Sequence, residues 1–300
     1  MNNILTLTNI SKFYGRIRAL NNVSFQVPNG SVYGLLGPNG SGKTTLLGIV
    51  MDVLRASGGT YSWFGENPSE KHRQQIGTLL ETPNFYHYLS GEKNLQIAAA
   101  IKNRSAEDIP RVLEIVKLTE RKNSKFSTYS LGMKQRLAIA SCLLGNPQVL
   151  VFDEPTNGLD PAGIAETRTL IRTLAKEGKT IILASHLLDE VEKVCTHVTI
   201  LQKGELITAG NVNEVLVGEE LAEVSASDLL KLQQVIGSLP GVTQLKRIDQ
   251  HLHVFFDSSP IDLESLNSYC FEKGIVLTHL QLRKKSLESK FIELTNNTSN

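Results

Sequence analysis

Cysteines and long apolar runs are scarce in this chain of 300 residues, and each scarcity removes a class of protein. The three cysteines, Cys142, Cys195 and Cys270, stand far apart and form no Cys-x-x-Cys pair. That argues against a disulfide framework or a thiolate zinc site and suits reduced thiols in a cytosolic protein. No run approaches the ~18 apolar residues that a membrane span needs. The first residues, Met1 to Thr6, lack a charged stretch followed by an apolar one, so no signal peptide is expected. Work at a membrane would require another chain to supply the membrane part. An excess of charge is missing too. The formal net charge is +1, and residues 219–300 carry 8 Lys/Arg against 11 Asp/Glu. Neither half is basic enough for a nucleic-acid binder, and no nucleic-acid partner is expected. What remains is ordinary globular composition, 41% hydrophobic and 20% charged, in a length suited to one large domain plus a small one.

Along the chain, residues 4–9 and 23–27 alternate apolar and polar and predict strands of a half-exposed antiparallel sheet. Val32 to Leu36 predicts a short buried strand that runs into a glycine-rich loop. A helix should follow through Leu46, Leu47 and Ile49 to about Leu54, broken by Gly58-Gly59 with a hairpin after it. From about Glu92 to Gly145 the pattern is mostly helical. Val149 to Phe152 and Thr180 to Ala184 are continuous apolar strands of the kind buried on both faces, with a helix near 162–176 between them. Strands separated by helices predict a largely parallel sheet, hence an α/β fold. After about residue 218 the pattern changes. Strands over 221–225, 242–248, 251–256 and 275–282 interleave with helices over 229–239 and 263–273, and a last helix covers about 286–294. That order, βαββαβ plus a helix, is the ferredoxin-like unit, a small α+β domain over 219–300.

Gly37-Pro38-Asn39-Gly40-Ser41-Gly42-Lys43-Thr44 is a complete P-loop, with Thr45 following it in the helix. Its glycines let the backbone wrap phosphate oxygens with the N–H groups turned inward. Lys43 adds a charge for the β- and γ-phosphates of ATP, and Thr44 offers a hydroxyl to Mg²⁺. Such a fold needs a second carboxylate at the C-terminal end of a neighbouring strand to hold Mg²⁺, and Asp153 fits that role. Glu154, one residue on, is placed to act as general base on an attacking water. His186 follows the strand 180–184, where it would face the γ-phosphate, although a lone histidine is more often structural. Tyr14, beside Gly15 in a link between two strands, has a ring that could stack on adenine, although a tyrosine in a sheet is commonly packing. His251 and His253 share one strand face, a spacing that solvated faces show several times more often than metal pairs.

Together these motifs resemble the ATP-binding subunit of ABC transporters over about residues 4–215. Tyr129-Ser-Leu-Gly-Met-Lys-Gln-Arg136 resembles the ABC signature, Asn157-Gly-Leu-Asp160 the D-loop, and His186 the switch histidine. Tyr14 falls where the family places its adenine-stacking aromatic. The resemblance implies an ABC ATP-binding domain over 1–218 with a mostly parallel core sheet, an antiparallel β subdomain and a helical subdomain over about 82–146. It also implies that two such subunits close head-to-tail around two ATP molecules. Ser130 and Gly132 would then contact nucleotide bound to a second ATP-binding subunit, an identical copy or a similar chain.

Two motifs depart from the family pattern. Leu131 and Met133 replace Gly and Gln in the signature, while the contacting pair Ser130 and Gly132 remains. Glu81 stands at the Q-loop position, where the family has Gln. It can still hold Mg²⁺ or water, but it adds negative charge beside the nucleotide. Glu81 to Leu89, the signature variant and Leu159 to Ile164 look like the bacitracin-resistance and lantibiotic-immunity exporters. The expected protein is therefore an ATP-hydrolysing exporter motor, cytoplasmic and held to the inner face of the membrane by a separate permease that docks near 82–100, where Phe85, Tyr86 and Tyr88 cluster. These aromatics could equally pack the helical subdomain. The alternatives are an importer motor, a soluble translation or repair ATPase, and a nucleotide sensor without turnover. The spacing of 110 residues from Lys43 to Asp153 suits a transporter, since repair-type members insert long coiled coils there. Glu154 argues against the sensor.

Overall fold

The computed structural model describes residues 3–80, 84–215, 220–257, 261–284 and 291. The chain divides into two compact units, Met1–Val212 and Asn213–Asn300.

The first unit opens with β1 (Asn3–Tyr14) and β2 (Ile17–Pro28), then β3 (Val32–Leu36), α1 (Lys43–Val50), β4 (Gly58–Trp63), α2 (Glu70–Arg73) and β5 (Ile76–Leu79). A helical stretch follows, with α3 (Gly91–Ile101), α4 (Ile109–Ile115) and α5 (Leu131–Leu143). The unit continues with β6 (Val149–Asp153), α6 (Pro161–Lys176), β7 (Thr180–Ser185), α7 (Leu188–Glu192), β8 (His197–Gln202) and β9 (Glu205–Asn211). Two sheets result, a three-stranded antiparallel one ordered β2-β1-β4 and a six-stranded one ordered β5-β6-β7-β3-β8-β9. In the larger sheet only β9 runs antiparallel to its neighbour. The residues of β3, β6 and β7 are all buried, which is why these segments are almost uniformly apolar. One core joins the sheets through α1: Leu5, Ile10 and Trp63 pack with Leu46 and Ile49, and with Val151 and Ile182. The Trp63 indole donates to the Val50 carbonyl at 2.8 Å, so its one polar atom is satisfied inside that core.

Three local expectations are corrected. The helix after the glycine-rich loop stops at Val50, because Asp52 turns left-handed (φ +61°) and the amides of Val53 and Leu54 both bond to the Gly48 carbonyl. Gly58-Gly59 opens β4 rather than a local hairpin, and Gly59, with φ +82°, passes so close to Asn9 that a Cβ would sit 2.3 Å from its carbonyl oxygen. The first two strands are twice as long as their alternation suggests. Asn9 and Asn22 adopt positive φ at register shifts, and each bulge flips the inside–outside pattern.

A single turn, α8 (Val212–Val215), begins on the last residue of the first unit, and the second unit then has β10 (Glu220–Ala226), α9 (Leu229–Gly237), β11 (Val242–Ile248), β12 (His251–Phe256), α10 (Leu263–Glu272) and β13 (Leu277–Lys284). The sheet order is β11-β12-β10-β13 and every neighbouring pair is antiparallel, which is the split βαβ arrangement of the ferredoxin-like unit. Val224, Leu252 and Val254 face the helices, packing with Leu232, Ile236 and Leu266. The helix expected over 286–294 falls outside the described residues apart from Phe291. His251 and His253 do not form a solvated strand face. His253 reaches Glu223 at 2.9 Å, and that carboxylate is only 3% exposed.

β5 lies against α5 so closely that a Cβ on Gly77 would sit 2.2 Å from the Cys142 carbonyl oxygen. Gly77→Ala should therefore destabilise the unit by about 1–3 kcal/mol through overpacking. Thermal melting of the nucleotide-free protein reads this as a lower midpoint, and an unchanged midpoint would mean that β5 and α5 are not rigidly apposed.

Candidate functional site

β6, β7 and β3 are consecutive in the parallel sheet, so one end of it gathers Asp153-Glu154, Ser185-His186 and the loop 37–42. The strand carrying Asp153 is next but one to the loop strand, with β7 between them. The loop enters α1 without a side-chain cap: Gly42 occupies the N-cap position with φ +106° and offers no acceptor. The first amides of α1 thus lack intrahelical partners, and the helix dipole adds positive potential where they point. Gly37 and Gly42 are required here. A Cβ on Gly37 would lie 2.3 Å from the Leu201 carbonyl oxygen, and one on Gly42 would lie 2.8 Å from that of Ala19.

Lys43 is the centre of the cluster. Its ammonium is buried, 6% exposed, and donates to the carbonyls of Gly37 at 2.7 Å and Pro38 at 3.3 Å. Glu154 Oε1 lies 3.6 Å away, and the other oxygen of that carboxylate meets His186 Nδ1 at 2.9 Å. Glu154 therefore bridges a fixed cation and an imidazole. Its backbone is left-handed, φ +50°, an uncommon conformation for a residue with a long side chain. Two hydrogen bonds hold it, from its own amide to Ala184 O at 3.0 Å and from the Asn157 amide to its carbonyl at 3.1 Å. Beside this cluster the Thr44 hydroxyl donates to Asp153 Oδ2 at 2.9 Å.

These residues fit a nucleotide and its divalent cation. Hard oxygens of a hydroxyl and a carboxylate meet at Thr44 and Asp153, the donor set that Mg²⁺ prefers. Pro38, Asn39 and Gly40 are exposed at the tip of the loop, so an anion can reach its amides, while Ser41 Oγ is buried with no hydrogen-bond partner among the described residues. Thr45 is half-buried in the first turn of α1.

The other expected residues lie on different elements. Tyr14 ends β1 in a tight turn to Ile17, 45% exposed, with Lys12 Nζ 5.0 Å from its ring centroid. Ser130 is exposed and caps α5, accepting from the Met133 amide at 3.3 Å. Gly132 sits in the first turn of that helix, where a Cβ would meet no atom of the described residues within 4 Å. Asp160 caps α6, accepting from the Gly163 amide at 2.9 Å. Glu81 lies outside the described residues. The buried thiols play no part in this cluster, and burial pushes Cys142 up to about 11.

A second feature is a groove of about 360 Å³ along α3, lined by Phe85, Tyr86, Ile97 and Ile101 among others. Buried Asn94 pins the loop over it, accepting from the Tyr86 amide at 2.8 Å and donating to its carbonyl at 3.1 Å. The aromatics divide in role. Phe85 packs edge-on against Phe126 within the helical subdomain, whereas Tyr86, Tyr88 and Ile101 stay exposed. Ile97 and Ile101 line the groove beside the aromatics. Their spacing with Asn94 on one helix was the available signal.

The ABC transporter family model matches residues 20–157. The uncharacterized ABC transporter ATP-binding protein YhcH of Bacillus subtilis is 36% identical, covering 99% of this chain and 98% of its own length. The bacitracin transport ATP-binding protein BcrA of Enterococcus faecalis is 33% identical, with 98% and 97% covered. Among solved structures, the dimeric post-hydrolysis ATP-binding cassette MJ0796 bound to ADP and Pi superimposes with a TM-score of 0.61 at 25% identity, covering 69% of this chain and 98% of that one.

Removing the Lys43 ammonium takes away the central cation of the cluster. Lys43→Ala should lower affinity for a fluorescent ATP analogue at least ~10-fold, since charge-assisted hydrogen bonds contribute about 1.5–3 kcal/mol each. Unchanged binding would refute the assignment of the loop to phosphate.

Proposed function

The chain belongs to the ATP-binding proteins of ABC transporters, and from that premise we propose that it drives an exporter of a drug, peptide antibiotic or lipid-like cargo through a separate permease. It binds ATP with Mg²⁺ and hydrolyses it to ADP and phosphate, as the family does. The observation that carries the site assignment is the Glu154 carboxylate, set between Lys43 and His186 beside the Thr44–Asp153 pair. The export direction rests on kinship with BcrA over nearly the whole chain.

In this reading the backbone N–H groups of residues 39–45 and the Lys43 ammonium hold the β- and γ-phosphates. Thr44 and Asp153 hold Mg²⁺, whose charge offsets that of the phosphate oxygens. Glu154 takes a proton from water as the water oxygen bonds to the γ-phosphorus and the bond to the β–γ bridging oxygen breaks. His186 orients Glu154 through the bond at Nδ1 and faces the γ-phosphate. Tyr14 stacks on adenine. Ser130, Gly132 and Asp160 serve the interface with a second ATP-binding subunit, and Glu81 attends Mg²⁺ or water. Among the described residues no helix is long and apolar enough to cross a membrane. The groove at Tyr86 and Ile101, with the exposed Tyr88 ring against Tyr86, suits docking of the permease, which would keep the subunit at the inner face of the membrane.

Glu154→Gln preserves shape and removes the base. ATP turnover should fall by about 10²–10⁴-fold, with an ATP-bound dimer visible by size-exclusion chromatography. Equal turnover would sink the catalytic assignment. In a host lacking the native gene, the wild-type chain should restore tolerance to a bacitracin-type peptide and Glu154→Gln should not. Tolerance equal in both would remove the exporter reading and leave the ATPase standing. Gly132→Ala separates the interface from the protomer. It should stabilise the isolated chain by roughly 0.5–1 kcal/mol, as Ala in place of helical Gly does, yet slow ATP hydrolysis. Full hydrolysis by a stabilised variant would place Gly132 away from any nucleotide.

A further inference from the structure

The C-terminal sheet carries polar chemistry that ATP hydrolysis does not use. Glu223 of β10 pairs in register with His253 of β12, and Ser225 pairs with His279 of β13. Since Val224 and Leu252 face the helices, strand alternation puts Glu223, His251, His253 and His279 together on the opposite face. Glu223 Oε1 meets His279 Nε2 at 3.0 Å, and Oε2 meets His253 Nε2 at 2.9 Å and Arg283 Nε at 2.8 Å. The His251 ring lies edge-on to that of His279, centroids 4.8 Å apart, and its Nδ1 is buried with no hydrogen-bond partner among the described residues. One ligand atom from each of Glu223, His251 and His279 lies within 4.8 Å of the other two.

We propose that Glu223, His251 and His279 form a binding site for a divalent transition metal of the zinc type. Two imidazoles and a carboxylate are the donors that Zn²⁺ accepts, with a fourth position left for water. Bonds of about 2.0–2.1 Å place tetrahedral ligands roughly 3.3 Å apart. The Glu223–His279 pair is already near that spacing, and only His251 must draw in. The ion takes the place of the proton between His279 Nε2 and Glu223 Oε1, and that proton leaves to solvent. His253 and Arg283 keep hold of Oε2 and so orient the carboxylate as outer partners. Arg283 opposes a cation by its charge, but it sits on the oxygen that the metal does not use. The three ligands come from β10, β12 and β13, so a bound ion would cross-link three of the four strands.

Isothermal titration of the full chain with ZnCl₂, in metal-free buffer without nucleotide, tests this. The expected result is one site per chain that millimolar Mg²⁺ does not displace, with a raised midpoint in thermal melting. His253→Gln should weaken binding by about 10–100-fold, as loss of an outer partner does. His251→Gln and His279→Gln should weaken it further and abolish the zinc-induced shift, while His87→Gln in the first unit changes neither. Circular dichroism of the variants confirms that the unit is folded. No zinc binding by the wild-type chain, or undiminished affinity in folded His251→Gln and His279→Gln, overturns the proposal.

Discussion

An ammonium removed from water needs oxygens in its place, and Lys43 finds them only because three strand ends converge. The cost of burying such a charge amounts to several kcal/mol, so the lysine cannot be accommodated by chance. Two loop carbonyls and one carboxylate replace its water. The carbonyls exist at that spot because Gly37 and Gly42 fold the loop back on itself against Leu201 and Ala19. The carboxylate exists there because β6 and β3 flank β7 in the sheet. Glu154 must also turn left-handed to reach inward, and the amide ladder to Ala184 secures that turn. The strand order, the glycines and the backbone strain are therefore facets of one electrostatic requirement.

The two acidic residues at the end of β6 are adjacent in sequence yet separated in role by that same geometry. Strand alternation sends successive side chains to opposite sides. Asp153, still in the strand, turns to the Thr44 hydroxyl, while Glu154, already past it, turns to Lys43 and His186. A single dipeptide thus delivers one carboxylate to the Thr44 hydroxyl and the other to Lys43 and His186.

The nucleotide cluster was legible because its order in sequence carries most of its geometry. A P-loop between an apolar strand and a helix, and an acidic pair closing another apolar strand, leave few arrangements. The burial of both faces of β3, β6 and β7 is written in their uniform apolarity. The antiparallel strands were harder to delimit, since the bulges at Asn9 and Asn22 interrupt the alternation that marks a strand. The end of α1 was misplaced because a left-handed aspartate closed it, where glycine is the usual sign. The histidines of the second unit were misjudged for a different reason. His251 and His253 looked like a solvated pair because their partners lie on other strands, Glu223 about 30 residues earlier and His279 more than 20 later. Nothing local announces a contact that only the sheet order creates.

Gly132 shows why a single chain does not account for its own sequence. Glycine in the first turn of α5 weakens that helix relative to alanine. Among the described residues no crowding justifies it, since a Cβ there would meet none of their atoms within 4 Å, and its φ is not one that demands glycine. The neighbouring Leu131 is half exposed, and Ser130 also faces solvent while capping the helix. On the function proposed above, this capped helix start with an exposed serine and an uncrowded glycine is the surface that lets an anion come close to the backbone. The loop at Lys43 is the surface built to carry such an anion. The two features belong to different elements and share no hydrogen bond described within the protomer, so the simplest way to unite them is across two copies. On the function proposed above, the local cost of Gly132 is the cost of letting a partner's phosphate approach, and the site at Lys43 is completed by the second subunit.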